Sequence, residues 1–345
     1  MRLHPERTRD FVRAAFEALG ATPEDALVIA DYIVFTSLRG VDSHGIRYVP
    51  VWADEIRRGK MKARYEARLV RDTGAVALFH GDNGLGVPVG HRAMQCAVEK
   101  ACRYGVGLAG TSHTNQLGSL AFYAALALGH GMIGMVVTNA QGRFMAPWGG
   151  RTPMIGNNPL AVAIPAGDEE PVLLDMAMSV VARGKIVLAA DEGRPIPEGW
   201  ATTREGLPTT DAVLGAAGLL LPIGGPKGSG LSIVIGSLCA CLTGAAFDSQ
   251  IVGPGNQPRN SGQLFLAIRP DAFVDPGEFR SRMDERIREL RTSEPAAGCD
   301  RVYLPGEKEA VTRRERLASG IPVSQKLVDD LRGLAAELGL EEGLD

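Results

Sequence analysis

The 345-residue chain carries 37 Lys and Arg against 40 Asp and Glu, a formal net charge of -3, and 45% of its residues are hydrophobic. That is apolar material for a large core and, at this length, for two closely associated domains; with no long basic block, nucleic-acid binding is not indicated. The start, Met1-Arg2-Leu3-His4-Pro5-Glu6-Arg7, lacks a secretory apolar core, and the longest apolar stretch, Leu231 to Leu242, falls short of the ~20 residues of a membrane span, so a cytoplasmic location and no membrane partner are expected.

Residues 5 to 38 predict two helices broken at Leu19-Gly20-Ala21-Thr22-Pro23, where Thr22 caps and Pro23 takes the first helical position. The second helix places Leu27, Ala30, Ile33 and Val34 at helical spacing and delivers the chain to the loop Arg39 to Arg47. Val76 to Asp82 reads as a strand. The following Gly84-Leu85-Gly86-Val87-Pro88-Val89-Gly90 has the wrong glycine spacing for a dinucleotide fingerprint and reads as a strand-to-helix turn. A helix at 88 to 104 turns Ala93, Met94, Ala97, Val98 and Ala101 toward the core. Short apolar runs at Gly105 to Gly110, Met132 to Thr138, Leu160 to Pro165 and Pro171 to Leu174 predict strands. Leu231 to Leu242 reads as a buried helix at a subunit contact, Glu278 to Arg291 as a charged helix and Ser324 to Leu338 as a last amphipathic one. Helices and strands without strict alternation predict α+β or irregular α/β rather than a doubly wound sheet. The five cysteines predict free, mostly buried thiols, with Cys239 and Cys241 on different helix faces; the scattered histidines give no metal site.

The chemistry gathers first at Arg39-Gly40-Val41-Asp42-Ser43-His44-Gly45-Ile46-Arg47. A group that exchanges a proton near neutral pH, a hydroxyl neighbour and a guanidinium three residues on suit a small carboxylic acid. The other reading is a loop whose His bonds locally while its Arg meets solvent. Thr111-Ser112-His113-Thr114-Asn115-Gln116-Leu117-Gly118 leads toward an alanine-rich helix, which places His113 near a helix N-terminus whose dipole favours the neutral imidazole. Gly224-Gly225-Pro226-Lys227-Gly228-Ser229-Gly230 precedes the apolar helix; it reads as a phosphate cradle of free N–H groups with Lys227 as the charge, or as a hinge. Gly156-Asn157-Asn158-Pro159 is a turn whose amides reach a ligand or cap the turn. Asp175, Arg183 and Lys185 form a pocket lip or a solvated surface.

In order and number these segments resemble the malate/L-lactate dehydrogenase family that lacks the Rossmann fold, which includes ureidoglycolate, sulfolactate and diketogulonate dehydrogenases and cyclic-imine carboxylate reductases. The resemblance runs from about Leu38 to Pro305, through Arg39 to Arg47, Ser112-His113, Ala146-Pro147-Trp148-Gly149-Gly150, Gly156 to Leu160, Leu174 to Ala177, Ala182 to Lys185, Pro208-Thr209-Thr210-Asp211, Gly225-Pro226-Lys227-Gly228, Gly262-Gln263-Leu264 and Leu304-Pro305-Gly306-Glu307. It implies a non-Rossmann NAD(P)-binding domain with a largely antiparallel sheet plus a helical domain, and a homodimer. Residues 1-75 would form the helical substrate and catalytic region, 76-275 the cofactor domain, and 276-345 helices packing back on the N-terminal region. It implies NAD or NADP as cofactor and hydride transfer to or from a small 2-hydroxy or 2-oxo acid.

Carried onto matching positions, Ser43 and His44 are catalytic, with His113 sharing the proton or a cofactor contact. His113, Thr114, Asn115, Gln116, Leu117, Ala140, Asp175, Met176, Ala177, Lys227, Gly306 and Glu307 line the cofactor, and Asn157, Arg183 and Gly184 approach the substrate. Two departures bear on this. The family's substrate-carboxylate Arg stands four residues after the motif His, where Tyr48 stands here; Arg47 takes its role, with Arg259 or Arg183 as substitutes. Lys185 stands where the imine reductases have the Asp of a Ser–His–Asp relay, which favours a 2-hydroxy acid because a cation near the oxygen stabilises an alkoxide. A cyclic-imine carboxylate reductase and a catalytically silent nucleotide-binding protein are the alternatives.

Overall fold

Thr22 accepts a hydrogen bond from the Asp25 N–H and Pro23 opens the helix Pro23–Leu38, so the break after the helix Pro5–Ala18 lies where capping chemistry puts it. The computed structural model describes residues 1–251 and 259–340; the parts of the sequence-read segments at 252–258 and 341–345 lie outside the described residues.

A seven-stranded sheet organises the chain, in the spatial order Arg68–Thr73, Val76–His80, Val106–Thr114, Ser261–Ile268, Ile133–Thr138, Leu160–Ile164 and Val172–Met176. One neighbouring pair, Val76–His80 with Val106–Thr114, is parallel, and the helix Gly86–Tyr104 makes the crossover between them; the other pairs are antiparallel. The largely antiparallel sheet and non-alternating topology agree with the fold class read from sequence. The crossover helix lies directly on its strand at Gly107, where an added Cβ would come within 1.9 Å of the Ala97 carbonyl oxygen.

The central strands are buried on both faces. Val136 and Phe265 enter one apolar cluster while their neighbours Val137 and Leu264 enter the other, as the alternation of a strand requires. Short, continuous apolar runs are therefore the right sequence signature for these strands. The larger cluster joins Phe11, Phe16, Ile29 and Trp52 of the N-terminal helices to Leu331 and Leu334 of the helix Gln325–Leu338. Arg2–Leu3 pairs with Ile321–Pro322, so the two ends of the chain lie together.

Two expectations are corrected. The apolar stretch at Leu231 is not fully buried: it belongs to the helix Pro226–Ala240, whose Leu231, Val234 and Leu238 stand exposed, as does Leu242 just beyond it. The periodicity allowed two faces, and Ser232, Ile235, Gly236, Cys239 and Ala240 are turned inward. The thiols are not mostly buried either; Cys239 is, Cys96 is half-buried, and Cys102, Cys241 and Cys299 are exposed. Among the described residues no helix is long and apolar enough to cross a membrane.

Candidate active site

His44 lies in the turn between the helices Pro23–Leu38 and Tyr48–Arg57. Ser37 holds that turn by accepting the Ile46 N–H at 3.0 Å. Ser43 Oγ stands 2.8 Å from His44 Nδ1, so the hydroxyl and imidazole foreseen as partners meet. The His44 ring stacks on Tyr48 with centroids 5.5 Å apart and 10° between planes. Burial, and then the charge of Arg47, hold the His44 imidazolium below its usual range, leaving a neutral ring that accepts a proton. Arg47 caps the next helix from an exposed position, and its guanidinium makes no hydrogen bond or ion pair among the described residues.

His113 is not at a helix N-terminus. It is the penultimate residue of the strand Val106–Thr114, and the next helix begins only at Ala121. Its backbone is left-handed at φ 55°, where a His is uncommon, and the Asn260 side chain holds it there by accepting the His113 N–H at 2.7 Å. The expected neutral imidazole survives with a different cause: burial first and neighbouring His80 second hold its imidazolium below the usual range. Because Asn260 Oδ1 faces the backbone N–H, its Nδ2 faces His113 Nε2, 3.5 Å away. That contact suits Nε2 as an acceptor, with the proton of the neutral ring on Nδ1, 3.2 Å from Ser112 Oγ.

One buried hydroxyl ties the His44 turn to Asp175. Tyr32 Oη donates to the His44 carbonyl at 3.2 Å and accepts the Ser119 N–H at 2.7 Å. Ser119 Oγ donates to Asp175 Oδ2 at 2.8 Å, and the Ala121 N–H donates to the same oxygen. Asp175 ends the outermost strand, open to solvent yet crowded by protein whose desolvation pushes its carboxyl above the ordinary range. Gly118 makes the arrangement possible. It has φ 71°, and a Cβ there would come within 1.9 Å of Tyr32 Oη. Gly118→Ala is expected to displace the Tyr32 ring and lower the thermal midpoint sharply, an effect that a melting curve of the purified variant measures.

Other sequence-read residues divide clearly. Arg259 is not free for a substrate carboxylate, because Glu55 already holds it with contacts of 2.6 and 3.1 Å. Arg183 donates to the Ala216 carbonyl, sits over the Phe144 ring and lines a separate cavity of about 390 Å³ with Arg143, Thr152 and Asp248. Gly184 and Lys185 are exposed in the first turn of the same helix, Arg183–Asp191, and make no hydrogen bond or ion pair with either histidine. In the Asn157-Asn158 turn it is Asn158 that knits the backbone, accepting the Ala140 N–H and donating to the Ser232 carbonyl; the Asn157 side chain makes no such bond. Glu307 is engaged by Arg301 at 2.7 Å and by the Leu304 N–H, so it closes its own turn. Gly306 accepts a bond from Arg39.

The glycine-rich cradle is also revised. The helix starts at Pro226, and the N–H groups of Lys227, Gly228 and Ser229 bond Gly224, Ile223 and Gly225 carbonyls. Its power to hold an anion rests on the exposed Lys227. Thr114 and Asn115 are buried, and Thr114 Oγ1 and Asn115 Oδ1 have no hydrogen-bond partner, while Gln116, Met176 and Ala177 are half-buried and Leu117 is in the core. The solvent-open carboxylate of Asp175 and the exposed cation of Lys227 are groups that suit the ribose hydroxyls and the phosphates of a dinucleotide.

Tyr32, His80, Glu55, Ser119 and Asn260 were not foreseen as site residues. Tyr32 lies on a helix face that reads as core, and Asn260 comes from a segment 147 residues beyond His113, so no local pattern joined them.

The sequence profile described as malate/L-lactate dehydrogenase matches residues 3–332. The L-sulfolactate dehydrogenase of Methanothermobacter thermautotrophicus is 38% identical over 342 residues, covering 99% of this chain and 98% of that protein. The NAD(+) ureidoglycolate dehydrogenase of Escherichia coli K12 is 32% identical, with 96% and 94% covered. The NADP(+) (2R)-3-sulfolactate dehydrogenase of Chromohalobacter salexigens is 34% identical, with 93% and 94% covered. The solved sulfolactate dehydrogenase of Methanocaldococcus jannaschii superposes with a TM-score of 0.93 at 36% identity, covering 99% of this chain and 98% of that one. With sequence and fold in agreement from end to end, the chain belongs to the malate/L-lactate dehydrogenase family.

Proposed function

We propose that this protein is an NAD(P)-dependent dehydrogenase that exchanges a hydride between the cofactor and a small, malate- or lactate-like 2-hydroxy acid. The observation that carries the site assignment is His44, its ring held neutral beside Ser43 and its turn tied through Tyr32 and Ser119 to Asp175; His113, on the segment assigned to the cofactor, is a second neutral imidazole. The bound nicotinamide supplies the hydride acceptor or donor. His44, supported by Ser43, takes the 2-hydroxyl proton or returns it to the 2-oxo acid. His113 stands as a second neutral acceptor on the cofactor side. Arg47 holds the substrate carboxylate, and Asn157 approaches the substrate from the opposite turn. Asp175 suits ribose hydroxyls, the His113 to Leu117 segment the nicotinamide end, and Lys227 the phosphates. Residues 1-75 thus bring the proton-transfer turn, 76-275 the cofactor wall, and 276-345 fold back on the first.

A second copy of the chain suits the apolar face of Leu231, Val234, Leu238 and Leu242, because an exposed stripe of this kind gains from being covered. The cavities of about 520 and 390 Å³ in the single chain are lined by neither His44 nor His113, consistent with a site completed by a partner. Val234→Asp is expected to shift the protein to monomer in sedimentation velocity and to lower activity with it; an unchanged mass would move the interface elsewhere.

The deciding assay follows NADH and NADPH absorbance separately against pyruvate, oxaloacetate, sulfopyruvate, a branched 2-oxo acid and a cyclic imine carboxylate. Turnover of an open-chain oxo acid is the expected result. Turnover of the imine alone would overturn it in favour of an imine reductase, and tight cofactor binding without turnover would favour a silent nucleotide-binding protein.

A further inference from the structure

His80 ends the strand Val76–His80, in register with Ser112 on the parallel neighbour. This brings its ring onto His113: centroids are 4.2 Å apart and the planes differ by 19°. Aromatic contact at that separation limits the tilt of the His113 ring, which the Asn260 side chain already fixes at its backbone. The His80 ring is itself fixed, because Nδ1 accepts the Asp82 N–H at 3.1 Å and Asp82 pairs with Lys62 at 2.7 Å. Asp82 has φ 50°, so the turn that presents this N–H is a special backbone and not a generic strand end.

We propose that His80 is a positioning residue for His113, holding its ring in the plane and tautomer that leave Nε2 as the acceptor. The inference rests on the assignment of His113 to the active site. The other charges nearby are already engaged: Asp82 by Lys62, and Arg259, the residue before Asn260, by Glu55. His80 is therefore the titratable side chain that faces the His113 ring. Two imidazolium rings at stacking distance repel, so the neutral state of His113 is favoured by its neighbour as well as by burial.

The test uses the full chain labelled with 15N-histidine, with imidazole nitrogen spectra recorded through a pH titration for the wild type, His80→Phe and His80→Ala. His80→Phe keeps a ring in the stack and removes its charge. The expected result is a His113 that retains the Nδ1–H tautomer and titrates at higher pH. His80→Ala is expected to lose the single tautomer as well. A His113 titration and tautomer unchanged in both variants would overturn the inference, and so would a fall in thermal midpoint with no spectral change, since that is a structural role alone. Enzyme assays separate the two readings: the acid limb of the pH profile should move with the His113 titration. If the spectra move and the limb does not, the positioning role stands and the part given to His113 in turnover fails.

Discussion

His44→Ala is expected to lower turnover by roughly 10²–10⁴-fold with cofactor binding retained, the range for losing a positioned general acid–base. The imidazole is half-buried, stacked on Tyr48 with Ser43 at 2.8 Å, and among the described residues no other titratable side chain is bonded to it. Steady-state kinetics with quenching of tryptophan fluorescence by the cofactor separates the two effects. The pH profile has a determined sign. Oxidation needs the neutral ring, and its imidazolium is held below the ordinary value of about 6.5, so oxidation persists below that pH and is lost as pH falls through the lowered value. Reduction needs the imidazolium and runs the other way. If His44→Ala leaves turnover nearly unchanged while His113→Asn abolishes it, the proton role belongs to His113.

The second large effect concerns the substrate carboxylate. Arg47→Ala should raise the KM for the 2-hydroxy acid about 10- to 150-fold with a smaller change in kcat, the equivalent of ~1.5–3 kcal/mol for charge-assisted bonds. Arg259→Ala should instead cost about 3 kcal/mol of stability, because it leaves Glu55 unpaired in a nearly buried place. Measuring KM and the thermal midpoint for both variants decides the matter. A KM effect confined to Arg259→Ala would mean that Glu55 releases its partner when substrate binds, and that Arg47 is a surface charge.

The longest helices and five strands of the seven-stranded sheet were legible because their signals are local. Thr22-Pro23 sets a boundary by capping, and Gly86–Tyr104 shows its buried face at helical spacing. Two strands of the seven-stranded sheet escaped notice. Arg68–Thr73 is exposed along its whole length and carries no alternating pattern. Ser261–Ile268 lies at the middle of the sheet, buried on both faces, and its short apolar run resembles any core segment until its two neighbours are known. Its position matters, since it places Asn260 beside His113.

At the site, the residue types were readable and their partners were not. Ser43 and His44 are adjacent, so their contact followed from the sequence. The pairings of Arg259 and Glu307 were not readable: Glu55 lies 204 residues from Arg259, and Arg301 turns onto Glu307 within its own turn. The glycines before Lys227 predicted open N–H groups, but the chain folded them into a helix start that satisfies them internally.

The sequence by itself determined the family, the helix-and-strand composition, the cofactor class and the Ser43-His44 pair, because these depend on motifs and periodicities within a few residues of one another. Tertiary structure alone decided which charges are paired, which side chains face the His113 ring, and that Tyr32 joins His44 to Asp175. Those properties depend on desolvation and hydrogen-bond distance between segments that only the folded sheet brings together.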